Sequence, residues 1–151
     1  MLSAIFVADE SGKSLTTGTN NTAVGYAAMD AITTGDNNVA VGYQALDANT
    51  TASYNTAMGS ASLGANTTGE KNTGVGYNSL VANTTGDHNT AVGRTALSSN
   101  TTADNNTAMG SNALASNSTG ESNTAFGRAA LDANTTASYN TAMGHGSLGA
   151  N

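Results

Sequence analysis

Cysteine, proline and tryptophan are absent from the 151 residues, only 9% of which are charged and 5% aromatic. Without cysteine the chain has no disulfide and no thiolate chemistry, which leaves its compartment open. So few large side chains exclude a thick hydrophobic core. Basic residues are limited to Lys13, Lys71, Arg94 and Arg128 against ten acids, for a formal charge of -6. With no basic patch to meet phosphates, nucleic acid is excluded as a partner. Long apolar runs are missing as well. The opening 1–8 segment is apolar but lacks a basic n-region, is too short to span a bilayer and runs into Asp9 and Glu10. It reads as part of the fold, and no membrane insertion is expected.

What the chain does have is Asn, Thr, Ala, Gly and Ser in strict order. The phrase Asn21-Thr22-Ala23-Val24-Gly25 returns with small edits, and its glycines are Gly25, Gly42, Gly59, Gly76, Gly93, Gly110, Gly127 and Gly144, each 17 positions after the last. Disordered low-complexity chains are usually rich in charge and proline, whereas a fixed period without insertions marks a repeat architecture. One unit, Asn38 to Tyr54, holds extended runs around Val41 and Leu46, separated by turn formers. Val and Thr alternate with Gly and Asn, so no helical period survives. Seventeen residues give a contour of about 56 Å, the length of one flattened solenoid turn with two strands and two corners, and turns would stack at about 4.8 Å. The predicted fold is therefore all-β: a single-chain parallel β-solenoid of 17-residue turns, about nine of them including a degenerate first one.

Residues 17 apart then form columns, and the columns suggest roles. Val24, Val41, Met58, Val75, Val92, Met109, Phe126 and Met143 make one apolar ladder. Met29, Leu46, Leu63, Leu80, Leu97, Leu114, Leu131 and Leu148 make a second. Both are expected to line the interior. The glycine column implies a positive φ or a close backbone approach. Two files of asparagine, one from Asn21 to Asn140 and one from Asn49 to Asn151, suit stacked amide hydrogen bonds. Matches to the N-glycosylation pattern follow from the Asn/Thr-rich composition and are discounted.

Residues 1–15 are expected to form a degenerate amino-terminal turn or cap and residues 16–151 the regular solenoid. Ala4 to Ala8 falls on the Asn-Thr-Ala-Val-Gly phase, with Ile5, Phe6 and Val7 as its larger apolar residues. Leu148 remains in phase at the other end, Asn151 and Leu15 share one repeat position, and an open strand edge is a template for another chain. Ile5, Phe6, Val7, Leu15, Leu148 and Asn151 are thus the predicted self-assembly residues, with a second copy of the chain as partner.

Little points to catalysis. His88 and His145 occupy different columns without a neighbouring acid and nucleophile, so no enzyme is expected. Gly74-Val75-Gly76 lacks the third glycine and the helix of a dinucleotide loop, and no cofactor is expected. Asp36, Glu70, Asp87, Asp104 and Glu121 share a corner column, where Glu70 to Glu121 come from consecutive turns. An oxygen-rich corner of this kind can take calcium, although a solvated acidic edge beside Lys71 and His88 is the preferred reading. Thr16, Thr33, Thr50, Thr67, Thr84, Thr101, Ser118 and Thr135 form a further file, which raises ice binding as the alternative function. Adjacent Thr-Thr residues point to opposite sides of a strand, so only a single row would face outward.

Asn20-Asn21-Thr22-Ala23-Val24-Gly25 and its copies resemble the Asn-Ser-Val-Ala-Ile-Gly head repeat of YadA-like trimeric autotransporter adhesins, a left-handed parallel β-roll. The longer phrase, Asn-Thr-Ala-Val-Gly-Tyr-x-Ala-Leu followed by Asn-Thr-Thr-Gly, is similar to repeats of bacteriophage tail-fibre and related surface-fibre proteins. The resemblance covers residues 16–151 and implies an extracellular or virion-surface fibre built from several identical chains. The unit here is longer than that of the adhesin head, and no coiled-coil stalk, membrane anchor or chaperone domain is found. The function expected is that of a structural fibre-forming or adhesin element that self-assembles, end to end, into filaments.

Overall fold

The computed structural model describes residues 4–149. Nine strands follow one another in chain order within a single parallel sheet: β1 Ala4–Val7, β2 Asn21–Val24, β3 Val39–Val41, β4 Thr56–Met58, β5 Thr73–Val75, β6 Thr90–Val92, β7 Thr107–Met109, β8 Thr124–Phe126 and β9 Thr141–Met143. Each strand pairs with the next at an offset of 17 residues, as in Thr73↔Thr90 and Val75↔Val92. The chain is a parallel β-solenoid whose turn equals the sequence repeat.

Each turn contains one strand, not two. The half expected to be a second strand around leucine is a chain of tight turns, in which the leucine column itself has left-handed backbone, with φ of 51° at Leu80 and 53° at Leu131. Backbone hydrogen bonds still run from turn to turn through this half, as from Leu80 N to Ala96 O and from Leu97 N to Ala113 O, both at 3.0 Å. The bonding is that of a stacked solenoid without extended dihedrals. Leucine tolerates φ near +50° only at a steric cost of about 1–2 kcal/mol, which burial of its side chain offsets.

The interior is thinner than the sequence suggests, and its valine wall is misplaced. Leu46, Leu63, Leu80, Leu97, Leu114 and Leu131 are fully buried, as is Met29, but the residue facing them from the strand is alanine. Ala23, Ala40, Ala57, Ala91, Ala108 and Ala125 have no exposed surface, and Gly74 fills the same column. The Val/Met/Phe ladder lies outside: Met58 is 45%, Phe126 54% and Met143 77% exposed, with Val24, Val41 and Val75 half-buried and Val92 and Met109 exposed. Strand alternation explains the correction. The buried asparagine that opens each phrase has the parity of the alanine two residues on, so the intervening threonine and the following valine must face out. Leu148, counted in the leucine ladder, is 45% exposed.

This parity is testable at one rung. Ala91→Val adds two methyl groups to a filled interior and is expected to cost about 1–3 kcal/mol, whereas Val92→Ala should cost less than about 1 kcal/mol. Urea unfolding of the two variants separates the assignments, since a valine core would make Val92→Ala the damaging change.

The first turn solves the same packing problem differently. Phe6 stands in the alanine column and packs against the core, while Gly12 stands in the leucine column. A Cβ on Gly12 would fall 2.2 Å from the Phe6 ring, so the ring occupies the space a leucine fills in later turns. Leu15 and Ile32 likewise replace asparagine in the second amide file, with Ile32 fully buried and Leu15 packed on the core. The amino-terminal end is thus the most hydrophobic part of the interior.

Candidate functional site

The polar interior is the most ordered feature of the molecule. In the first file each asparagine Oδ1 accepts the backbone N–H of its counterpart one turn on, as at Asn55 N to Asn38 (2.9 Å), Asn89 N to Asn72 (2.9 Å) and Asn123 N to Asn106 (2.9 Å). Its Nδ2 donates to a corner carbonyl 14 residues ahead, as from Asn72 to Gly86 O at 2.7 Å. In the second file the amides bond to one another, Asn83 Nδ2 to Asn66 Oδ1 at 2.8 Å and Asn100 Nδ2 to Asn83 Oδ1 at 2.9 Å. Asn83 Nδ2 also reaches Gly86 O at 2.9 Å, so one corner carbonyl ties the two files together. Stacked amides in a dry interior are favourable because every donor and acceptor is matched. The asparagines of the Asn49 column that fit the N-glycosylation pattern, Asn49 to Asn134, are all buried and cannot meet a transferase in the folded chain.

The threonine file from Thr16 to Thr135 belongs to the same internal bonding. Thr16 Oγ1 donates to Thr33 O at 2.9 Å, Thr67 Oγ1 to Thr84 O at 3.0 Å and Ser118 Oγ to Thr135 O at 3.1 Å. From Thr16 to Ser118 those hydroxyls are engaged along the axis, on side chains that are half-buried from Thr33 to Ser118. The sheet face carries a different threonine file, Thr22, Thr56, Thr73, Thr90, Thr107, Thr124 and Thr141, running beside the outward Val/Met/Phe ladder, half-buried as far as Thr107 and exposed at Thr124 and Thr141.

The acidic column is also engaged along the axis. Asp36 Oδ1 accepts both the N–H and the hydroxyl of Thr19, at 2.6 and 2.9 Å. Asp87 Oδ1 accepts from Glu70 N, and Asp104 Oδ1 from Asp87 N, each at 2.7 Å. Each of these carboxylates is met by an amide dipole of the preceding turn, which is how like charges tolerate close stacking. Among the described residues no group of three or more His, Cys, Asp or Glu side chains converges as a metal site would require, so Glu70, Asp87, Asp104 and Glu121 form a file, not a cage.

A second charged group surrounds Lys13, which pairs with Glu10 and lies 3.5 Å from Asp30 Oδ1. The hydrogen bond to Glu10 raises the Lys13 pKa. Asp47 sits one turn beyond Asp30, and burial, followed by the Asp30 charge, raises its pKa from its ordinary value. On the opposite flank of the strands, the position two residues after the valine column holds Tyr26 and Tyr43, stacked at 5.8 Å and 13°, and then Tyr77, Arg94, Arg128 and His145. Arg128 Nη1 and His145 Nε2 are 3.0 Å apart. No helix of the described residues is long and apolar enough to cross a membrane.

The predicted self-assembly residues divide. Ile5 and Val7 are exposed, Phe6 and Leu15 pack inside their own chain, and Asn151 lies outside the described residues. What sequence reasoning missed is the outward ladder. Its signal was variation in size: the buried alanine column admits only Ala and Gly from Ala23 on, whereas the exposed one accepts Val, Met and Phe alike. Comparisons with protein-family models, curated proteins and solved structures give no match for this chain.

Proposed function

We propose that the chain is a structural rod that self-assembles, end to end, into filaments as an extracellular or virion-surface fibre or adhesin element. The observation that carries this reading is the unbroken asparagine file, in which each rung from Asn21 to Asn140 bonds to the next. Such a molecule is held together along one axis by nearest-neighbour contacts and has the physical character of a fibre segment. The resemblance of its phrases to adhesin-head and tail-fibre repeats supports the same reading. In-phase stacking of copies would set Leu148 of one over Gly12 of the next and Met143 over Val7, covering apolar side chains that are exposed in the single chain.

Negative-stain microscopy tests this. Filaments whose width matches one or a few rods are the expected result. Monodisperse monomers that shape ice crystals would replace the reading with the alternative, an ice-binding solenoid. That function would use the file Thr17, Thr34, Thr51, Thr68, Thr85, Thr102, Thr119 and Thr136, which is exposed at every rung, because the hydroxyls of the Thr16 file are bonded to backbone carbonyls.

A further inference from the structure

We infer that the outward face of the sheet is an interface between two copies of this chain, with their rods side by side and parallel and their strands running in opposite directions. The inference rests on the self-assembling reading above and identifies the lateral contact.

The face is unusual in what it exposes. The two outward columns of β1 to β9 hold only Ile, Thr, Val, Met and Phe, without a single charge, in a chain of net charge -6. Larger apolar side chains sit outside this wall than inside it, where alanine and glycine face the core. Nine strands about 4.8 Å apart and two outward residues per strand give a flat strip of about 43 by 11 Å, about 470 Å² per copy. Two strips pressed together cover about 1,000 Å², the lower limit for a specific interface. A contiguous uncharged patch of this size is often functional.

Charge selects both the occupant and its orientation. At β6 the strand is preceded by Asp87 and followed by Arg94, and at β8 it is preceded by Glu121 and followed by Arg128. A twofold axis parallel to the rods reverses the strand direction without changing the level. The acidic flank of one copy then lies along the basic flank of the other, with Glu121 at the level of the partner copy's Arg128 and the reciprocal pair on the other side. A twofold across the rods keeps acid opposite acid, setting Glu70 against its own counterpart and Asp104 against Asp36. The chain is therefore complementary to itself in one arrangement and opposed in the other.

Because the chain lacks cysteine, Val24→Cys introduces a single thiol near one end. Parallel pairing places the two thiols at one level, within reach of a short bis-maleimide, whereas crossed pairing separates them by roughly 29 Å. The expected result is efficient dimer formation by the Val24→Cys chain. In sedimentation equilibrium at low salt, Arg128→Glu should weaken the pair by roughly three- to tenfold. Adding Glu121→Arg to that variant should restore it. Cross-linking only between Val24→Cys and Phe126→Cys chains, a trimer by mass, or a charge swap that fails to restore pairing would overturn the proposal. If filaments form while the chain remains unpaired laterally, the interface is refuted and the fibre reading stands; if neither forms, both fall.

Discussion

Asn72→Ala is expected to lower stability by about 2–5 kcal/mol, one of the largest effects available on this surface-rich molecule. Asn72 is fully buried; its Oδ1 accepts from Asn89 N and its Nδ2 donates to Gly86 O. Alanine removes both contacts. The Gly86 carbonyl keeps its bond from Asn83, but the Asn89 N–H is left buried without an acceptor, which alone costs about 1–3 kcal/mol. Hydrogen exchange should show the loss at the Asn89 amide first, because a solenoid opens locally between neighbouring turns.

Asn72→Asp refines the test through pH. A carboxylate at this position still accepts from Asn89 N but faces the Gly86 carbonyl, so burial and that carbonyl raise its folded pKa. The protonated form, nearly isosteric with asparagine, donates to Gly86 O. With the folded pKa above the unfolded one, the side chain's contribution is fully present below the unfolded value near 4 and is lost as pH rises through the folded value. Urea midpoints of Asn72→Asp should thus approach those of the parent chain at low pH and fall toward neutrality, while Asn72→Ala shows no such recovery. A flat difference across pH would mean that the amide's donor is unimportant.

The second large effect concerns the glycine column. Gly76→Ala is expected to cost about 3 kcal/mol or more, for two separable reasons. Its φ is +131°, a region that side-chain-bearing residues rarely occupy, at a cost of about 1–3 kcal/mol. A Cβ would also fall 2.6 Å from the Gly93 carbonyl oxygen and 2.7 Å from its carbon, both backbone atoms of the next turn. Relief requires spreading the stack. Gly144 has a φ of +113° and no atom of the described residues within 4 Å of the equivalent Cβ. Gly144→Ala should therefore show only the conformational part, and equal penalties at the two positions would remove close approach as the reason for the column. Thermal unfolding of the pair measures the difference.

The sequence by itself determined whatever depends on position along the axis. A 17-residue period without insertions leaves one parallel register, and columns of identical residues can only be stacked rungs, so the solenoid, its amide files and the strained, crowded glycine column were all legible from Asn21 to Gly144. What lies across the axis was decided only by the tertiary structure. Hydrophobicity placed Val24 and Met58 inside, but the amides of Asn21 and Asn55 need buried partners, and alternation then turns alanine inward and valine outward. The same holds for the leucine half of each turn, where left-handed residues replace a second strand, and for Phe6, whose ring takes the space a leucine would need at Gly12. The hydroxyls of the Thr16 file and the carboxylates of Asp36, Asp87 and Asp104 have partners one turn away that periodicity alone does not specify. Periodicity reports which residues are stacked, but only the closed cross-section decides which way each one faces and which neighbour completes its hydrogen bonds.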